Sequence, residues 1–397
     1  MSRADRRDSS GCPPAVHPVI IERDHPISAS RSPSFVSPTP ELFVRDFDYH
    51  LPAELIAQEP SPERGASRLL VLERSSGRLE HRMVADLPSL LRGGDVLVVN
   101  NTRVFPARLL GERVPSGGAV ECLLIRRLAD DESGGRSGGE LWEALVHPGQ
   151  RLGPGQRVRF EGARPINGEI LARRFHGRRV VRLWTDDGSP VDRALDAIGH
   201  VPLPPYIKRP DRPIDRERYQ TIFARERGSV AAPTAGLHLT RAMLEALAAR
   251  GVEVVEITLH VGYGTFQPVR VERVAEHHVE PEPFDVPEAA AAAVNAALDE
   301  GRRVVAIGTT TIRAIEAVGM AHGGRLAPGR GTTDLFIYPG FEFRMAGGLL
   351  TNFHLPRSSL LMLVAAFAGR ERVLAAYAAA VAERYRFYSY GDAMLIL

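Results

Sequence analysis

From about residue 203 onward, short apolar runs alternate with stretches of helix length, and this alternation constrains the fold more than any other feature of the chain. The strand-like runs are 252–259, 304–307 and 335–338, and the helical patterns are 216–225, 241–250, 287–300, 311–321 and 358–368. Thr240 suits the cap of the second helix, and Pro287 suits the start of the third. Between 105 and about 184 the pattern differs. Runs at 120–125, 141–146, 158–160, 170–173 and 180–184, broken by Gly, Pro and Asp, predict a small barrel. The apolar strand at 95–99 belongs with the later α/β layer, so the barrel is an insertion. The expected architecture is α/β: a mixed α/β domain from 44–104 and 200–397, with an inserted small β-barrel domain at 105–199. Residues 1–43 are rich in Ser, Pro and Arg without apolar periodicity, and are expected to be a disordered N-terminal tail. At 397 residues, the chain exceeds what one core usually organises.

Composition narrows the function classes. The 50 basic and 48 acidic residues leave a formal charge of +2, so a polyanionic partner would need a local patch. Cys12 and Cys122 lie far apart, which argues against a disulfide framework or a cysteine metal site and suits a reducing cytoplasm. The longest apolar run, 360–368, is about half the roughly 20 residues of a membrane span. Neither membrane attachment nor export is expected. His277, His278, Glu280 and Glu282 lack metal-ligand spacing, so no metal is expected. No G-x-S-x-G element follows a strand.

Several segments place polar residues where strands meet turns. In AAPTAGLHLT (231–240), Thr234, Gly236 and His238 precede a helix, where free N–H groups could hold an anion; a plain helix-entry loop is the simpler reading. LHVGYGTFQPV (259–269) leaves a strand and carries His260, Gly262, Gly264 and Thr265, with Phe266 available to stack on a flat ring. It is not a dinucleotide fingerprint, because Gln267 stands where the third glycine is required. GTTTIRAIE (308–316) sets Thr309, Thr310 and Thr311 at the start of a helix and Arg313 one turn in. Arg313 could pair with a substrate carboxylate, or with Glu316 on its own helix. TNFHLP (351–356) reads as a polar turn bearing Asn352 and His354 ahead of a buried helix. YRFYSYGDAM (385–394) suits base stacking or a C-terminal docking segment equally.

Taken together, these segments resemble the S-adenosylmethionine:tRNA ribosyltransferase-isomerase family of queuosine biosynthesis. DFDYHLP at Asp46, GDVLVVNNTRVFPARL at Gly94, GHVPLPPYI at Gly199 and FIYPGF add to the resemblance, which runs from about Asp46 to Met394. It implies an α/β domain with a β-barrel domain. The implied reaction moves the ribosyl part of S-adenosylmethionine onto 7-aminomethyl-7-deazaguanine at the tRNA wobble position, giving epoxyqueuosine-tRNA, adenine and methionine. S-adenosylmethionine serves as co-substrate, with no cofactor, and the enzyme is expected to be a cytoplasmic monomer. In the implied chemistry the sulfonium acidifies the neighbouring ribose carbon and a base removes its proton. Adenine then departs, the aminomethyl nitrogen attacks, and methionine leaves as the epoxide closes.

The resemblance makes His238 or His260 the base, and sets Arg313 with Thr309, Thr310 and Thr311 at the methionine end. Asn100, Arg103, Lys208 and Asp392 are assigned to the modified base and its RNA. The chain departs from the family at HHVEPEPF (277–284): Glu282 matches the family glutamate, but Glu280 stands where a histidine is usual. Arg173, Arg174, Arg178 and Arg179 are candidate phosphate contacts on the barrel, or an exposed solvated hairpin. Without the resemblance, the competing readings are an S-adenosylmethionine-dependent methyltransferase and an RNA-binding module without turnover.

Overall fold

The computed structural model describes residues 41–129 and 138–397, so nearly all of the expected tail at 1–43 lies outside the described residues. The N–H of Val44 donates to the carbonyl of Glu272. In chain order the strands are β1 (Arg68–Leu72), β2 (Leu79–Met83), β3 (Val96–Asn100), β4 (Thr102–Val104), β5 (Arg108–Val114), β6 (Ala119–Arg127), β7 (Glu140–His147), β8 (Arg157–Phe160), β9 (Ile166–Arg173), β10 (Arg178–Thr185), β11 (Glu226–Ser229), β12 (Glu253–Leu259), β13 (Glu282–Val286), β14 (Val304–Ile307), β15 (Gly329–Thr333), β16 (Gly348–Asn352) and β17 (Ala393–Ile396). The helices are α1 (Leu87–Leu90), α2 (Val191–Ile198), α3 (Asp215–Arg218), α4 (Arg241–Ala249), α5 (Glu288–Asp299), α6 (Thr309–Ala321), α7 (Ser359–Ala368) and α8 (Arg370–Ala382).

The fold is mixed α/β. One sheet runs in the order β15-β13-β12-β3-β14-β16-β17-β1-β2, with β12, β3, β14 and β16 mutually parallel. Strands covered on both faces read as unbroken apolar runs rather than alternating ones, as VLVVN in β3 does. Side-chain alternation then divides the strand between two cores. Val96 and Val98 pack with α5 to α8, while Leu97 and Val99 pack with α1 and α4. Strands β5 to β10 close a separate antiparallel barrel, filled by Leu109, Leu124, Trp142, Phe160 and their neighbours.

Several elements differ from expectation. The helix expected over 216–225 stops at Arg218, because Tyr219 leaves helical geometry (ψ 26°). Residues 335–338 form no strand. The N–H of Leu335 goes to Thr333 Oγ1 and its carbonyl to Arg313 Nε, so side chains take the groups that a ladder would need. Asn352 ends a buried strand rather than sitting in a turn. In the C-terminal segment, Tyr385, Phe387, Tyr390 and Asp392 are buried and lead into β17, which fits the docking reading for these residues, while Tyr388 is half-buried. No helix among the described residues is long and apolar enough to cross a membrane.

Candidate active site

The parallel strands β12, β14 and β16 deliver their carboxyl ends to one cleft of ≈ 600 Å³, where open α/β sheets commonly bind ligands. After β14 the chain turns sharply at Gly308 (φ 94°), a conformation that disfavours any Cβ, and enters α6. This sets Thr309 and Thr310 on the cleft wall. The segment before α4 contributes Thr234, the segment after β12 contributes Thr265 and Phe266, and β16 contributes Asn352 with His354 just beyond. Six of the expected binding residues therefore meet in one place. Tyr206 and Tyr388 join them, with ring centroids 4.0 Å apart, and Tyr388 holds an uncommon φ of 75°.

The three histidines among the expected residues are each held by a neighbouring side chain, and of them His354 lines the cleft. His238 is buried and does not line the cleft; its Nε2 accepts a hydrogen bond from Asn352 Nδ2 at 3.2 Å. Burial, reinforced by the charges of Arg386 and Arg64, pushes its pKa down to about 4. His260 Nδ1 meets Thr102 Oγ1 at 2.8 Å, and burial lowers its pKa too. His354 Nε2 meets Thr351 Oγ1 at 2.8 Å, and burial brings its pKa to about 3. All three imidazoles are neutral at neutral pH.

Arg313 does not line the cleft and pairs with Glu282 rather than Glu316. Its Nη1 donates to Glu282 at 2.5 Å, and both side chains are buried. Glu316 instead accepts the backbone N–H groups of Arg344, Met345 and Ala346. Glu282 also accepts from the N–H of Gly262 at 2.8 Å, which ties the Gly262–Gly264 turn to α6. Thr311 Oγ1 donates to the carbonyl of Ile307, four residues back, and faces the core. The Gly236 Cα lies where a Cβ would strike Phe223 at 2.9 Å, so this glycine serves close packing.

The residues assigned to RNA separate clearly. Asn100 is buried and saturated: Oδ1 accepts the N–H groups of Thr102 and Leu259, and Nδ2 donates to the carbonyl of Leu259. It rivets β3 to β12. Asp392 is likewise internal, accepting the N–H groups of Arg68 and Arg386. Both are buried. Arg103 is exposed on β4. Lys208 lines a larger groove of ≈ 1220 Å³, walled by the barrel residues Arg108, Leu110 and Leu123 on one side and the 202–211 loop on the other. Phe266 borders both this groove and the cleft, so the two spaces adjoin. On the barrel, Arg179 spends its donors on the carbonyls of Leu152, Gly149, Gly177 and Arg178, and Arg178 pairs with Glu143 and Glu280.

No local pattern reveals the role of Glu282, and although Tyr206 lies in GHVPLPPYI and Tyr388 in YSYGDAM, nothing local shows which face either presents.

A sequence profile of the queuosine biosynthesis protein family matches residues 44–396. The chain belongs to that family. It is 51% identical over 354 residues to the S-adenosylmethionine:tRNA ribosyltransferase-isomerase of Symbiobacterium thermophilum, covering 89% of this chain and 99% of that protein. The Desulfitobacterium hafniense protein of the same name is 50% identical over 354 residues, with the same coverage. A crystal structure of an S-adenosylmethionine tRNA ribosyltransferase from Thermotoga maritima is 37% identical, covers 89% of this chain and 100% of that one, and superposes with a TM-score of 0.49.

Proposed function

We propose that this protein is an S-adenosylmethionine:tRNA ribosyltransferase-isomerase. It moves the ribosyl group of S-adenosylmethionine onto 7-aminomethyl-7-deazaguanine in tRNA, and releases adenine and methionine. The observation that carries the reading is identity of about one residue in two along almost the full length of relatives bearing that name. The cleft suits it physically. Hydroxyls of Thr234, Thr309 and Thr310 offer polar contacts for the donor, aromatic faces suit the adenine, and the adjoining groove gives an RNA strand a route to the same space. S-adenosylmethionine is consumed as co-substrate, and the reaction needs no further cofactor.

On this reading the general base is His260 or His238; neither lines the cleft itself, and His260 is the less buried of the two. His238 Nε2 is already occupied by Asn352, whereas His260 meets Thr102 through Nδ1. The bond to Thr102 fixes the ring orientation, and the lowered pKa keeps the imidazole ready to accept a proton below neutral pH. Arg313 and Glu282 hold the glycine turn rather than the methionine carboxylate. The test is product analysis with S-adenosylmethionine and tRNA bearing 7-aminomethyl-7-deazaguanine. Free adenine, formed only when that tRNA is present, is expected; S-adenosylhomocysteine in its place would make the protein a methyltransferase.

A further inference from the structure

Asn352 sits at the end of β16, 2% exposed, and lines the cleft. Its side-chain nitrogen has two hydrogen bonds, one to the carbonyl of Tyr388 at 3.0 Å and one to His238 Nε2 at 3.2 Å. A carbonyl can only accept, so the amide cannot be flipped: Nδ2 must be the end that faces Tyr388. His238 Nε2 must then carry its lone pair toward Asn352, which leaves the ring proton on Nδ1. The remaining atom, Asn352 Oδ1, is fully buried and has no partner. A buried acceptor left unpaired is costly, and most such groups in native proteins have a partner. Tyr388, held at φ 75°, supplies the carbonyl that locks the amide, and its own N–H is tied to the carbonyl of Phe353. Uncommon backbone kept in place at a ligand cleft is a recurrent mark of a working site.

We propose that Asn352 Oδ1 accepts an N–H of the bound S-adenosylmethionine, and that His238 is a positioning residue that acts on the substrate only through Asn352, by helping to fix which end of the amide is left unpaired. The inference rests on the proposed donor substrate. Two groups of that molecule offer the required chemistry, the exocyclic amine of adenine and the ammonium of methionine. Each is a strong donor, and an acceptor in the same place would face Oδ1 with like charge.

Equilibrium binding separates these cases without any turnover. Three ligands are titrated into the full chain: S-adenosylmethionine, its analogue with a carbonyl in place of the adenine amine, and its analogue lacking the methionine amino group. The wild-type protein is expected to bind one analogue about tenfold or more weakly than S-adenosylmethionine, as loss of a hydrogen bond to a buried acceptor implies. The analogue that is weakened identifies the donor group. Asn352→Ala should bind that analogue and S-adenosylmethionine within about twofold of each other, at the scale where no such bond is left to lose. Asn352→Ser provides a second variant if the alanine form does not fold, with the same loss of discrimination expected. His238→Gln, which retains an acceptor toward Nδ2, should keep the discrimination, while His238→Leu should weaken it.

A pH profile completes the test of His238. In His238→Gln the acidic limb of kcat should persist, because the group that titrates lies elsewhere; disappearance of that limb would make His238 the base and overturn its positioning role. Equal discrimination in wild type and Asn352 variants would overturn the assignment to Oδ1. Failure of the reaction reading would look different, as absence of adenine release with binding intact.

Discussion

Glu282 accepts hydrogen bonds from two directions, from the N–H of Gly262 on the cleft side and from Arg313 on the side of α6. Removing its carboxylate would leave Arg313 charged and buried without a counter-ion, a change that usually costs about 3–5 kcal/mol. Glu282→Ala should therefore lower unfolding stability in urea by about that amount; a loss below about 1 kcal/mol would mean that water compensates Arg313. Sequence reading recognised that Arg313 wanted a carboxylate, yet offered only substrate or Glu316. Its partner comes from strand β13, 31 residues away, and no local pattern encodes that pairing.

The buried histidines make a second residue-scale prediction. His238 falls to about 4 and His354 to about 3 in the folded chain, below the ordinary histidine value of 6.5. The unfolded chain therefore binds more protons as pH drops below 6.5, and stability falls with pH from there down through about 4. Each histidine contributes a slope approaching about 1.4 kcal/mol per pH unit inside its window. Urea midpoints measured between pH 7 and pH 5 should show the decline, and His238→Gln should reduce its slope. An identical slope in that variant would mean that His238 titrates normally in the folded protein.

At the scale of elements, β17 matters out of proportion to its four residues. It pairs antiparallel with β16 and parallel with β1, so it joins the β1–β2 hairpin to the rest of the sheet. Deleting residues 393–397 should abolish cooperative thermal unfolding, and a sharp transition in the truncated chain would contradict that role. The sequence did not reveal β17 or β16, because each is short and central only through tertiary pairing. Longer, strongly patterned elements were legible. Thr240 does cap α4, accepting from the N–H of Met243 at 3.1 Å. The apolar run at 335–338 misled for the opposite reason: its residues favour strands, but Thr333 and Arg313 claim the backbone of Leu335. The segments that leave β12 and β14 follow strands as expected, whereas Thr351 and Asn352 of TNFHLP belong to β16 rather than to a turn. Their convergence on one cleft required knowing that β12, β14 and β16 share a sheet.

For the whole molecule, the barrel and the α/β domain meet where Arg178 of β10 pairs with Glu280, just before β13. The groove containing Lys208 lies between barrel strands and the 202–211 loop, and adjoins the cleft at Phe266. Lys208 shows no carboxylate partner among the described residues, unlike Arg108 with Glu121 and Arg209 with Asp215. If tRNA occupies this groove, Lys208→Ala should weaken binding and reduce the slope of log K against log salt by about 1. An unchanged slope would move the RNA path to another face.

The central claim is that carbon from the ribose of S-adenosylmethionine becomes part of tRNA. Its most direct test uses S-adenosylmethionine labelled with ¹³C in the ribose, incubated with the protein and tRNA carrying 7-aminomethyl-7-deazaguanine, followed by digestion and mass analysis of the nucleosides. An epoxyqueuosine-mass nucleoside carrying all five labelled carbons of the ribose is expected, with unlabelled adenine released in equal amount. Recovery of the label only in S-adenosylhomocysteine, or in no tRNA nucleoside while an active relative succeeds in parallel, would contradict it.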